Sequence, residues 1–386
     1  MKRPIYLDNA ATTPLSREVL EAMMPYLTEE FGNPSSTYSV GRTSRLAVEM
    51  ARKAVARQLS VKPSSIFFTS GGTESNNMAI LSAIRDMGCT GIITSPIEHH
   101  AVLHAVENYR RAYDVPLELV SLTADGGIDY EDLEQKLMRQ RESGKRSLVS
   151  LMYANNEIGS LLDLETVERL CRQYDAVFHS DCVQAVGHYP INLSSSYVHY
   201  ISGAGHKFHG PKGVGILYVS PLAKIGPLIH GGGQERNMRA GTENVYGIVG
   251  FAKALDIAMQ SYEEDRRYIG GLKTYMRDLL EQQVPGVRFN SPVQGLYTVL
   301  SVCFPKTAAS EELLLTLDQA GICVSGGSAC SSGEGGGSHV IKALGDRMEC
   351  STVRFSFSKF NTKEEIEHTV NVLQSTFCSE KKQIAQ

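Results

Sequence analysis

A lysine between two apolar runs, flanked by small residues, stands where strands end and clefts form. Lys207 is such a residue, in Ser202-Gly-Ala-Gly-His-Lys-Phe-His-Gly-Pro-Lys-Gly213, between Val198-His-Tyr-Ile201 and Val214-Gly-Ile-Leu-Tyr-Val219. An amine short of water loses its charge readily and attacks carbonyls. Lys207 is therefore a candidate for an imine with an aldehyde cofactor, namely pyridoxal 5'-phosphate; the same residues also suit a solvated lysine in a Gly/Pro-rich turn. Other parts of such a site are present. Ser70-Gly-Gly-Thr-Glu-Ser-Asn-Asn77 follows a strand pattern and opens a helix. Gly72 lets backbone approach a phosphate, the Thr73 hydroxyl can donate to it, and the positive helix end attracts it; an ordinary N-cap has the same geometry. Asp181 is placed to keep a pyridine nitrogen protonated. Gln184 and Asn155 can each hydrogen-bond the ring's phenolic oxygen, or serve as polar turn residues. His99 can stack on the ring and shuttle protons, or be a satisfied surface histidine.

The apolar pattern supplies elements to position these groups. Ile66-Phe-Phe-Thr69, Gly91-Ile-Ile-Thr-Ser95, Leu148-Val-Ser-Leu-Met-Tyr153 and Ala176-Val-Phe-His-Ser180 read as strands, with helices over 74–86, 100–111 and 164–174. This βαβ rhythm predicts an α/β fold with a mostly parallel central sheet covered by helices. Ligands of such sheets bind beyond the carboxyl ends of the strands, where Thr73, His99, Asn155 and Asp181 fall. One long helical stretch, about 244–282, leads to a smaller α+β unit. Its strands are Thr298–Phe304, Ile322–Ser325 and Val353–Ser356, and its helices span 311–319 and 362–374, the latter opened by a Thr362-x-x-Glu365 capping box. The expected division is a large cofactor-binding domain at 15–260 and a small domain made of 1–14 and 261–386. The tail after Phe377 is expected to fray.

The 386 residues are 42% hydrophobic and 21% charged, which suits one large domain plus a smaller one. The net charge of −4 argues against a general nucleic-acid binder or a polybasic membrane protein. No run of about 18 apolar residues predicts a membrane span. The segment Met1–Asp8 lacks the apolar core of a signal peptide, so a cytoplasmic location is expected. The eight cysteines, at 89, 171, 182, 303, 323, 330, 350 and 378, contain no C-x-x-C pair. That suits neither a zinc ribbon nor a disulfide scaffold, and most are expected to be buried small apolar residues. His99, His100 and His104 lack H-E-x-x-H spacing, so no metal site is expected.

Further motifs carry a family resemblance. They are Tyr6-Leu-Asp-Asn-Ala-Ala-Thr-Thr-Pro14, Gly32-Asn-Pro-Ser-Ser36, Thr69–Asn77, Glu98-His99, Asn155-Asn-Glu-Ile-Gly159 and His179-Ser-Asp181 with Gln184. Gly205-His-Lys207, Gly231–Arg236, Arg239-Ala-Gly-Thr242, Gly327-Ser-Ala-Cys330 and Val353-Arg-Phe-Ser356 follow in the same order. Over essentially its whole length the chain resembles the group I cysteine desulfurases, pyridoxal-phosphate enzymes of fold type I in the class V aminotransferase group. The resemblance implies a covalent link from Lys207 to the cofactor and a stacking, proton-moving role for His99. It implies that Asp181 pairs with the pyridinium, Gln184 with the phenolic oxygen, and Asn155 with substrate and cofactor. Thr73 and His206 would hold the phosphate, and Thr242 the phosphate of the other subunit, which implies a homodimer with shared sites. Arg354, helped by Asn33, would clamp the substrate carboxylate bidentately. Ala204 stands in the phosphate cup where many relatives have serine, which removes one hydroxyl donor.

Cys330 selects the reaction. It lies among Gly, Ser and Ala residues, with a Gly/Ser-rich extension to Ser338, a composition that predicts a loop reaching both a buried substrate and an outside acceptor. The resemblance implies that L-cysteine is the substrate, that Cys330 takes its sulfur as a persulfide, and that alanine is released. The sulfur would pass to acceptor proteins for iron–sulfur cluster assembly or tRNA thiolation, with no direct nucleic-acid or membrane contact. A selenocysteine lyase, a small-amino-acid aminotransferase with Cys330 idle, and a non-catalytic sulfur-relay scaffold are the competing readings.

Overall fold

The computed structural model describes residues 4–326, 338–345 and 350–384. Twelve strands occur among them. They are β1 (Ile5–Tyr6), β2 (Ile66–Thr69), β3 (Gly91–Thr94), β4 (Leu117–Leu119), β5 (Ser147–Ser150), β6 (Val177–Asp181), β7 (Tyr200–Ala204), β8 (Gly215–Val219), β9 (Arg288–Phe289), β10 (Val299–Pro305), β11 (Ile322–Cys323) and β12 (Cys350–Ser356). Seven form the central sheet in the order β2-β8-β7-β6-β5-β3-β4. The pairings from β7 through β4 are parallel, and β8 runs antiparallel to both its neighbours.

Strand period two assigns each central residue to a face. Phe67, Ile92, Leu148, Val177, Tyr200 and Leu217 pack on one side with the Gly72–Arg85 and His100–Ala112 helices. Their chain neighbours Phe68, Ile93, Val149, Phe178, Ile201 and Ile216 pack on the other, with the Ser39–Gln58, Leu164–Gln173 and Val245–Gln260 helices. The strands are buried on both faces, which is why they appear in the sequence as short unbroken apolar runs. A separate core joins Leu7 to the Tyr262–Gln283 helix through Leu272 and Met276, to β10 through Leu300 and Phe304, and to the C-terminal helix through Ile366 and Leu373. Here β10 lies between β12 and β9, antiparallel to both, while β1 pairs in parallel with β11.

Four details differ from expectation. The 244–282 stretch is two helices, Val245–Gln260 and Tyr262–Gln283. They break at Ser261, whose amide closes the first helix on the Ile257 carbonyl and whose hydroxyl bonds Asp265 in the second. The 311–319 helix is likewise divided, at Glu312. The last helix runs from Lys363 to Ile384, past the point expected to fray, and opens on the Thr362–Glu365 capping box. Finally, Cys303 and Cys350 form a disulfide between β10 and β12, with Cα atoms 5.5 Å apart. Cys303 sits opposite Thr352 and Cys350 opposite Pro305, so the two thiols are diagonal neighbours on one face. Their 47-residue separation hides this in the sequence.

A buried ion pair holds the segment that leads to Thr242. Glu235, Arg236 and Asn237 all have positive φ, an unfavourable run for side-chain-bearing residues. Arg52 grips Glu235 with two bonds of 2.6 and 2.8 Å, and Glu235 also accepts from the Phe68 amide. Both partners are at least 95% buried. Arg52→Ala should therefore cost about 3–5 kcal/mol, because it strands a buried carboxylate. Replacing both Arg52 and Glu235 by apolar residues should recover much of that loss in denaturant unfolding.

Candidate active site

The site lies beyond the carboxyl ends of β6 and β7, where chain folding delivers one group per strand. After β2, Gly71 turns the chain at φ +155° and opens the Gly72–Arg85 helix, whose first turn has no side-chain cap. A Cβ on Gly72 would meet Val183 Cγ2 at 2.5 Å, so only glycine lets the helix end approach the β6 turn this closely. After β3, His99 caps the His100–Ala112 helix, its Nδ1 accepting from the Ala101 amide at 3.0 Å. A neutral His99 therefore carries its proton on Nε2. Burial, opposed by Asp181 and reinforced by Lys207, His100 and His339, holds the imidazole below its usual pKa.

Asp181 ends β6, 4% exposed. Its carboxylate accepts from Asn76 Nδ2 at 2.6 Å and from the Val183 amide at 2.9 Å. Asn76 is fixed in turn by His179, whose Nε2 lies 3.2 Å from Asn76 Oδ1 and whose Nδ1 lies 2.8 Å from Ser150 Oγ. Burial pushes His179 down to about 3, so it is a neutral donor to Asn76. The result is a rigid carboxylate aimed out of the sheet. Lys207 ends a single turn after β7, and its Nζ donates to the Ala10 and Ala11 carbonyls at 2.7 and 2.9 Å. Gln184 Nε2 donates to the same Ala10 carbonyl at 2.9 Å. His206 Nδ1 lies 3.1 Å from Thr12 Oγ1, and burial with the nearby Lys207 and Lys212 charges pushes its pKa down to about 4.

These groups converge on a cavity of about 250 Å³ lined by Thr73, His99, Asp181, Gln184, His206 and Lys207, with Gly72 and Ala204 at its floor. The Ala204 methyl is 3.8 Å from where a Cβ on residue 72 would stand, so it offers no donor at the helix end. Not every sequence candidate is here. Asn155 is 1% exposed; its Nδ2 donates to the Ile97 carbonyl and its Oδ1 accepts from the Glu157 and Ile158 amides. The cavity wall is its neighbour Asn156. Asn33 is exposed on its own loop, and its Oδ1 accepts from the Ser35 amide. Thr242 lines a separate hollow of about 160 Å³ with Thr69, Ser70 and Arg239. Arg354, 1% exposed on β12, bonds Asp8 at 2.6 Å and the Asn156 carbonyl at 3.0 Å. Cys330 lies outside the described residues. The sequence reading missed Asn76 and the Ala10 and Ala11 carbonyls; Asn76 could have been found, because it stands four residues after Gly72, on the same helix face.

Comparison with known proteins places this geometry. The family model Aminotransferase class-V matches residues 5–369. The chain is 42% identical over 379 residues to the cysteine desulfurase IscS of Dictyoglomus turgidum, covering 97% of this chain and 94% of that one. The cysteine desulfurase IscS of Methanosarcina thermophila is 41% identical, with 96% of this chain and 91% of that one covered. A solved NifS-like protein superposes with a TM-score of 0.89 at 36% identity, covering 97% of this chain and all of that one. The chain belongs to the class-V aminotransferase family. Within it, it belongs with the cysteine desulfurases, and it is a pyridoxal-phosphate enzyme with the fold-type-I architecture. The residues present fit that cofactor: a rigid buried carboxylate for a pyridinium, an amine for the aldehyde, and an uncapped helix end for the phosphate. Among the described residues no helix is long and apolar enough to cross a membrane, and no cluster of three His, Cys, Asp or Glu could hold a metal.

Beneath His99, the Glu98 carboxyl is 1% exposed, accepting from Ser95 Oγ and the Met152 amide. Burial pushes its pKa up to about 8. A carboxyl so raised binds its proton more tightly folded than unfolded. Its contribution is fully present below the ordinary carboxylate range and lost as pH rises towards about 8. Glu98→Gln should therefore lessen the decline of Tm between roughly pH 5 and pH 8, by a few degrees at the alkaline end. Calorimetry of both proteins across that range checks it.

Proposed function

We propose that this chain removes sulfur from L-cysteine, releases L-alanine and holds the sulfur as a persulfide on Cys330. The observation that carries the reading is the convergence of Lys207, His99 and Asp181 on one cavity, in a chain matching a cysteine desulfurase over 97% of its length. The bound cofactor supplies an electron sink for the substrate's α-carbon. The protein supplies the rest. Asp181, locked by Asn76 and Val183, would hold the pyridine nitrogen's proton, and Gln184 would bond the phenolic oxygen. Gly72, Thr73 and His206 would meet the phosphate. Ala204 only walls this end, so anchoring relies on the helix end and these residues. Lys207 would take the proton from the substrate's α-carbon and return it. His99 would stack on the ring and move protons through Nε2.

Arg354 would take the substrate carboxylate. Its Nε has no hydrogen-bond partner among the described residues, which leaves a donor for one carboxylate oxygen. Asn155 would act by fixing the Asn156 turn rather than through its own amide. In the transfer step the Cys330 thiolate attacks the substrate sulfur. An S–S bond forms and the Cβ–S bond breaks; sulfur is oxidised and Cβ reduced. Cβ gains a proton, so cysteine plus thiol balances alanine plus persulfide.

The same reading has two copies sharing their sites. Thr242 and Asn33 lie outside their own chain's cavity, and Thr242 of the partner subunit would complete the phosphate cup. Leu20, Met24, Leu27 and Phe31 stand exposed around the Asn33 loop, with Phe31 79% accessible, an apolar face suited to a second copy. The division into a large domain at 15–260 and a small one of 1–14 and 261–386 is supported by the separate core around Leu7 and Phe304. A cytoplasmic setting and delivery to iron–sulfur scaffold or tRNA-thiolation proteins complete the proposal.

Incubating the purified protein with L-cysteine and a reductant tests it. The expected result is alanine and sulfide in equal amounts, with a change in cofactor absorption. Cys330→Ser should keep the cofactor band and lose alanine and persulfide formation; Lys207→Ala should lose both. Normal desulfuration by the Cys330 variant would overturn the assignment.

A further inference from the structure

We propose that His339, with His100 and the Ser338–Glu157 pair, is a positioning clamp that seats the carboxyl-side end of the Cys330 segment against the turn presenting His99. The proposal rests on the desulfurase reading above. Ser338 follows Cys330 by eight residues and opens the short His339–Ala343 helix. Ser338 Oγ accepts from the Ile341 amide at 3.2 Å and donates to the Glu157 carboxylate. Glu157 is 2% exposed and belongs to the Asn155 turn that lines the site. Val340 and Ile341 pack on Ile97 and Ile158, burying the inner face of the helix on either side of that turn.

His339 adds direction to this packing. Its Nε2 lies 2.9 Å from the Glu98 carbonyl oxygen, which can only accept, so Nε2 carries a hydrogen. In the neutral ring Nδ1 is then an acceptor, and it faces His100 Nε2 at 3.1 Å. His100 stacks on His104 with ring centres 4.8 Å apart, which fixes its plane. Glu98 and His100 flank His99. The backbone that carries His99 into the cavity is thus the backbone that His339 holds.

The amino-side end of the segment is pinned as well. The Arg354 amide donates to the Ser325 carbonyl at 2.6 Å, so the described chain before residue 327 is held at β12 and the described chain after residue 337 is held at the His99 turn. Neither His339 nor His100 lines the cavity. Their effect is on where the segment starts and ends, not on cofactor or substrate. Small misplacement of a reacting group is costly, since the thiolate must meet the substrate sulfur at bonding geometry.

The test compares holoenzyme of wild type, His339→Ala and His339→Gln; glutamine keeps a donor for the Glu98 carbonyl. Amide hydrogen exchange over residues 339–343 should quicken in His339→Ala. Cofactor absorption, and the cysteine concentration giving half its change, should stay within about twofold, while alanine formation falls about tenfold. His339→Gln should restore turnover to within about threefold of wild type. Turnover of His339→Ala within about twofold of wild type overturns the proposal. So does a glutamine variant no better than alanine, a parallel loss of cofactor, or unchanged exchange in an active enzyme. Faster exchange in His339→Ala together with a wild type that makes no alanine leaves the clamp intact and overturns the desulfurase reading instead.

Discussion

The Lys207 ammonium bound to two backbone carbonyls is the contact on which the site's assembly depends. Ala10 and Ala11 belong to an N-terminal strap that runs between the two cores. Leu7 is buried in the smaller core and donates its amide to Cys323. Asn9 Nδ2 and the Ala10 amide bond Ser356, at the end of β12. Thr13 donates its amide and hydroxyl to the His206 carbonyl at the end of β7. Lys207 and Gln184 both close on Ala10 from the central sheet. A charge-assisted bond from a shielded amine to two carbonyls outweighs an ordinary turn contact. It makes the Lys207 amine a fastener between the sheet and the strap.

The groups around Lys207 are themselves heavily held. Moving Lys207 off its carbonyls would expose two acceptors in a partly buried setting. Gln184 would still serve one of them, and Thr13 would keep the strap bonded to the His206 carbonyl. The Ser150–His179–Asn76–Asp181 chain does the same for the carboxylate across the cavity. Each member has one rotamer and one tautomer that satisfy its neighbours, so Asp181 cannot swing toward Lys207 and neutralise it. The two charges face the cavity from separate supports.

The central sheet was legible because its strands are buried on both faces and so appear as unbroken apolar runs. Thr73, His99, Asp181 and Lys207 followed, since each stands within a few residues of a strand end. Asn155 shows the limit of that logic. Its position at the end of β5 was readable, but whether residue 155 or 156 faces the cavity depends on a turn in which Asn155 bonds three backbone groups. The smaller sheet was harder. β1 pairs with β11 across more than 300 residues of sequence, and the Cys303–Cys350 bond follows from a register that no local pattern encodes. The break at Ser261 was hidden because serine is tolerated in helices, and only its bond to Asp265 marks the restart. Cys330 lies outside the described residues, and the architecture enters only through the anchors on either side, at Ser325 and Ser338.

The strap also ties Lys207 to Arg354. Arg354 bonds Asp8, two residues before Ala10, and its strand carries the Ser356 that bonds Asn9 and Ala10. The substrate carboxylate proposed for Arg354 would meet a guanidinium already shared with Asp8, and two carboxylates on one buried cation repel unless the geometry is forked. Among the described residues Nε has no partner, so both anions would fit only with Asp8 on the NH2 side. Arg354 therefore holds the strap at Asp8, and Lys207 holds it at Ala10 and Ala11. The two contacts fall on neighbouring residues of a single extended segment. Through that backbone a side chain from the middle of the chain and one from its last third are joined.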